Sequence, residues 1–179
     1  MSQQFVDPTV FGVENLADTT GLVEVSSGVS APQGAAEEAI EPTKLATISR
    51  HDVLIRAQSW ITEHVMYSQT SYHTNKYGRY RQDCSGYVSM CWHLPTSYVT
   101  GTIMQVAHRI SWAQLVPGDA LWHHSAQLQH IALFVGWADK AHTQPIVDEE
   151  YESGHPCSRR KWSHTWAAAF SPIRYNHIA

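Results

Sequence analysis

Asp83-Cys84-Ser85-Gly86-Tyr87-Val88-Ser89-Met90-Cys91-Trp92-His93-Leu94-Pro95 is the stretch on which the fold turns. Val88, Cys91 and Trp92 share one face at helical spacing, and Pro95 stops the run. The reading is a helix that begins near Cys84. Helix starts present unpaired N–H groups and about half a positive charge. Both favour a thiolate. Ser85 and Gly86 are small and leave room above the sulfur. Cys84 is therefore a candidate nucleophile, with its own N–H as a candidate oxyanion donor. The ordinary fate of a free cysteine is burial as an inert side chain. Cys91, on the apolar face, is read that way, and Cys157 is read as an unpaired loop cysteine.

Upstream, a helix runs from about Arg50 to Val65. Ser49 caps it, with Asp52 three residues on as the capping-box partner. Val53, Ala57, Trp60, Ile61 and Val65 form its core face. Tyr67 to Gln82 reads as a polar loop. Downstream, residues 96–114 are ambiguous, with a short helix expected around Met104 to Ile110. The signal then changes to strands. Leu115-Val116-Pro117-Gly118-Asp119-Ala120-Leu121 is a turn leading into one. His130-Ile131-Ala132-Leu133-Phe134-Val135-Gly136-Trp137 is a compact β run. Pro145 to Tyr151 is a weaker third strand, and Pro172 with Arg174-Tyr175-Asn176 supplies a last short one. Helices first and strands after them imply an α+β fold on an antiparallel sheet.

The length of 179 residues suits one domain with a tail. Residues 1–43 hold seven acidic residues and no Lys or Arg, whereas 44–179 hold all 12 basic residues of the chain. The expected division is an acidic, disordered tail or linker over 1–46 and a folded domain over 47–179. Phe5, Val10, Phe11 and Leu16 give the tail short apolar anchors for docking to a carrier or delivery partner. Three cysteines are too few for a disulfide scaffold. A formal charge of −4 gives no case for nucleic-acid binding. The apolar runs are far shorter than the roughly 20 residues of a membrane span. The N-terminus lacks the basic and apolar regions of a signal peptide.

A thiol nucleophile needs a base. His130 opens the strongest strand, where an imidazole can project from the sheet rim toward a helix start. His123 and His124 are rivals. Together with His130 they raise the question of a metal site, but the spacing lacks a helix or paired cysteines, and no metal is expected. The base needs an acceptor on its other nitrogen. Asp148, Glu149 and Glu150 lie on the next strand, with Asp148 and Glu150 on one face and Glu149 on the other. Which face looks at His130 stays open.

The Asp83-Cys84-Ser85-Gly86 helix start, the Leu115-Val116-Pro117-Gly118-Asp119 turn and the strand opening His130-Ile131-Ala132 together resemble the NlpC-type family of papain-like cysteine peptidases. Ala141-His142-Thr143 and Arg174-Tyr175-Asn176 resemble a secreted actinobacterial branch. The resemblance covers about 47–179. It implies a papain-like α+β fold, with the nucleophile at a helix N-terminus packed on an antiparallel sheet. By similarity Cys84 is the nucleophile and His130 the base. The third position falls on Glu149, with Glu150 or Asp148 as neighbours one place off, where relatives carry His, Asn or Gln. Tyr67, Asp83 and Ser85 match substrate-binding positions.

The implied reaction is hydrolysis of amide bonds in peptidoglycan stem peptides, after γ-D-glutamate, by a monomer without cofactor. The implied location is the cell wall or extracellular space, or delivery by a virion or secretion machine. An N-acetylmuramoyl-L-alanine amidase or a thiol acyltransferase would share the same Cys and His. A non-catalytic wall-binding module is the reading from another class.

Overall fold

The computed structural model describes residues 45–179 and, before them, the strand Ala17–Thr19. That strand, β1, lies within the stretch expected to be a disordered tail. The tail's apolar anchors lie outside the described residues.

Helix α1 spans Arg50–Thr62 and buries Val53, Ala57 and Trp60. Ser49 caps it by accepting from the Asp52 N–H at 3.1 Å, and its hydroxyl donates to Asp52 Oδ2 at 2.7 Å. The helix ends before the expected Val65 because the chain turns left-handed at His64 (φ 51°). The Val65 N–H then closes the end by bonding back to the Trp60 carbonyl at 3.1 Å.

The segment read as a polar loop holds a hairpin, β2 (Tyr72–Asn75) and β3 (Gly78–Arg81). Asn75 Oδ1 accepts from the Tyr77 N–H at 2.9 Å, and Gly78 takes φ 118°. Together they make a tight turn. Tyr80 is the one buried side chain of the two strands, so no apolar alternation marks them.

Helix α2 spans Cys84–Cys91, and all eight of its residues are buried. It runs through the centre of the molecule. Gly86 is required there because a Cβ would lie 2.0 Å from the Arg81 carbonyl oxygen. Its small size therefore lets β3 pass against the helix rather than opening space above the sulfur.

The helix expected around Met104 to Ile110 is instead a single 3₁₀ turn, Ile103–Gln105, followed by strand β4 (Ala107–Arg109). Pairing with the C-terminal strand overrides the local pattern. The remaining strands are β5 (Ala120–His124), β6 (Gln129–Trp137), β7 (Pro145–Glu149), β8 (Ser158–Trp162) and β9 (Ser171–Tyr175), with a short α3 (His164–Ala167) before the last. The sheet order is β1-β8-β7-β6-β5-β9-β4, antiparallel throughout except for the parallel β1–β8 pair.

The sheet separates two cores. Ile131, Leu133 and Ile146 pack with Val53, Trp60, Tyr87, Val88 and Trp92 on the helix side. Ala132, Phe134 and Val147 pack with Trp162, Ala167 and Phe170 on the other. Strict alternation along β6 feeds both, so its sequence reads as a continuous apolar run. The fold is α+β, with a central helix against an antiparallel sheet. Among the described residues, no helix is long and apolar enough to cross a membrane.

Candidate active site

Cys84 stands at the first position of α2, and Asp83 is the N-cap. The Asp83 carboxylate accepts from the Gly86 N–H at 2.7 Å and from Arg81 Nε at 2.6 Å. Arg81 Nη2 also donates to the Tyr98 carbonyl at 3.0 Å and to Ser85 Oγ at 3.3 Å. Asp83 and Ser85 are both buried, and this network fixes the start of the helix beneath the thiol. Thr100 Oγ1 lies 3.8 Å from the Cys84 sulfur and was not anticipated. No motif could have found it, since it comes from an irregular stretch.

His130 sits at the start of β6, opposite His123 of β5. Its Nε2 donates to Glu149 Oε2 at 2.6 Å. The ring also hydrogen-bonds with Cys84 and packs against Trp162 and Phe170. Burial lowers the His130 pKa. The hydrogen bonds to Cys84 and Glu149, together with their charges, outweigh that and push it up to about 10. That balance favours the charged form of the ring.

Glu149 is the acidic residue that reaches His130. Its second oxygen accepts from Trp162 Nε1 at 2.8 Å, and Arg160 Nη1 lies 3.5 Å from the same atom. Asp148 points to the opposite face, where Arg159 grips it through Nε at 2.7 Å and Nη2 at 2.8 Å. Glu150 is fully buried, and neither of its carboxyl oxygens has a hydrogen-bond partner among the described residues. The strand that brings Trp162 and Arg160 to the site, β8, was missed in the sequence because Ser158-Arg159-Arg160-Lys161 looks like solvated surface. Arg159 and Arg160 are spent on the buried carboxylates Asp148 and Glu149 of β7.

The rival histidines are occupied elsewhere. His123 Nδ1 donates to the Ala169 carbonyl, and His124 stacks on Trp122 with ring centroids 6.2 Å apart. Tyr67 is buried, and its hydroxyl accepts from Gln69 Nε2 at 3.0 Å. Cys91 is buried as expected. Cys157, a free cysteine in the bend before β8, is also buried and packs in the helix-side core. Burial pushes both thiols well above the ordinary range, so they are inert. Among the described residues, no group of three or more His, Cys, Asp or Glu is placed to hold a metal ion.

No protein-family model matches the chain, and no curated protein matches it. Solved structures do. Two are of the resuscitation promoting factor interacting protein RipA, one mutated at a histidine and one at a cysteine. They are 19% and 18% identical to this chain, each with a TM-score of 0.51 over 70% of it. The match takes in 61% of each RipA chain, so this fold spans about three-fifths of their length. A third is a protein similar to lipoprotein, of the NLP/P60 family, from Staphylococcus aureus subsp. aureus Mu50. It is 13% identical over 76% of this chain and 45% of that one, with a TM-score of 0.47. The RipA likeness bears on the fold, which is the papain-like α+β arrangement that the Cys84, Asp119 and His130 blocks imply.

Proposed function

We propose that this chain, folded as an NlpC-type papain-like domain, is a cysteine peptidase that cuts amide bonds of peptidoglycan stem peptides. The observation that carries the reading is the grouping Cys84–His130–Glu149, a thiol and a carboxylate both hydrogen-bonded to one buried imidazole. His130 takes the thiol proton and holds it. The Cys84 sulfur attacks the substrate carbonyl, and in this reading the Cys84 backbone N–H serves the oxyanion. His130 then gives its proton to the leaving amine as the C–N bond breaks. Water, deprotonated by the same imidazole, attacks the thioester and releases the acid. Glu149 keeps the ring oriented and favours its charged form throughout.

Tyr67 is assigned to the substrate side of the cleft. Asp83 and Ser85 act there through the Arg81 network that holds the start of α2. The bond after γ-D-glutamate is the expected target, and such a substrate places the working protein outside the membrane. The 1–43 stretch is then a candidate docking segment for the partner that delivers it.

The test is digestion of purified peptidoglycan by the wild type and by Cys84→Ala, with products identified by mass. The expected result is new stem-peptide fragments from the wild type alone, at least about 10³-fold above the variant. Release of whole stem peptides from the sugar would make it an amidase. Transfer of the acyl group to an added amine would make it a transferase. No product from either protein on several wall types would overturn the enzymatic reading in favour of a binding module.

A further inference from the structure

Glu150 has no place in the line just described, yet it is the most unusual group in the molecule. It follows Glu149 directly, and alternation along β7 turns it to the helix side with Asp148 while Glu149 faces His130. It is completely buried, and both of its oxygens lack hydrogen-bond partners among the described residues. A buried carboxylate without partners is costly, and the group escapes by keeping its proton. The charges it meets come from the start of α2: Asp83 and Cys84. Asp83 is already neutralised by Arg81. The next same-face residue, Asp148, is neutralised by Arg159. Cys157, from the segment entering β8, faces it as a neutral thiol. Besides the paired Asp83, the charge that an ionised Glu150 would meet is that of a Cys84 thiolate.

We propose that Glu150 is a positioning residue for the nucleophile: as a neutral acid beside Cys84 it permits the thiolate, and as a carboxylate it disfavours it. The inference rests on the peptidase reading only for its consequence in turnover. Its physical core is a coupling between two ionisations, and coupling is reciprocal. Burial first, then the charges of Asp83 and Cys84, push the Glu150 pKa up to about 9. The proton is therefore retained through neutral pH and lost to water above it. Deprotonation would add a negative charge in the field of the Cys84 sulfur and so work against the thiolate.

The experiment is carbon-13 NMR of the glutamate side-chain carboxyls in the full chain. The Glu150 signal is assigned by its loss in Glu150→Gln. The wild type should show one carboxyl titrating far above the ordinary carboxylate range. In Cys84→Ser, which carries no thiolate charge, that midpoint should fall by at least about half a pH unit, a threefold change in proton affinity. Should Glu150→Gln fail to fold, the shift of the anomalous signal between wild type and Cys84→Ser still decides the matter. An ordinary midpoint, or one that Cys84→Ser leaves in place, overturns the proposal. In turnover, Glu150→Gln should raise the ratio of rates at pH 9.5 and pH 7.5 at least about threefold over the wild-type ratio. A wild type that cuts no wall peptide but shows the midpoint shift would defeat the peptidase reading and leave the coupling standing. A working peptidase whose midpoint does not move would do the reverse.

Discussion

Asp119 and Glu149 are both buried carboxylates on the same sheet, and they are satisfied in opposite ways. Asp119, just before β5, accepts from Arg50 Nη1 at 2.9 Å, from Arg174 Nε at 2.9 Å and Nη2 at 2.8 Å, and from the Val116 N–H at 3.0 Å. Its partners all hold their charge permanently or are backbone, so the cluster is closed. It ties α1, the 115–119 turn and β9 together. Glu149 is also held by a tryptophan and an arginine, but its shortest bond goes to an imidazole that also bonds a thiol. That partner can lose its proton. The first carboxylate locks a turn, and the second holds a ring that can titrate. Asp119 lies in one of the motif blocks and Glu149 in none, and only the geometry shows how differently the two carboxylates are held.

The largest way to break the comparison is at the closed cluster. Asp119→Ala leaves two guanidiniums facing a buried hole. Because Arg50 and Arg174 are about a quarter exposed, solvent recovers part of the loss. The expected cost is about 2–4 kcal/mol of stability in a urea melt, with turnover per folded molecule unchanged. A stability loss under about 0.5 kcal/mol would show that the cluster locks nothing.

A smaller effect is expected at the open one. Glu149→Gln keeps an acceptor for the ring but removes its charge, so the imidazolium is held less firmly. Activity should fall about 10- to 100-fold, and its alkaline limb should move to lower pH, while stability changes little. Loss of stability without a shift in the pH profile would make Glu149 a second Asp119.

Much of this was legible in the sequence. The α2 start and the β6 run announced themselves, because one carries an apolar face at helical spacing and the other is buried on both sides. The α+β order followed from where those signals lie along the chain. The identity of the acidic partner was not legible. Asp148, Glu149 and Glu150 are chemically alike, and one residue of register decides which meets His130. Strand β8 and the β2–β3 hairpin were hidden for a related reason. Their side chains are charged or polar, and what holds them is pairing to a distant carboxylate or a tight turn rather than an apolar stripe.

The central claim is that His130 carries its proton between Cys84 and Glu149, and nitrogen-15 NMR of the His130 ring tests it most directly. Its pKa is raised, so both ring N–H groups should persist from neutral pH until the pH nears about 10, and Cys84→Ala should lower that midpoint. A ring that titrates near the ordinary histidine value of about 6.5, or one indifferent to the loss of the thiol, would contradict the account.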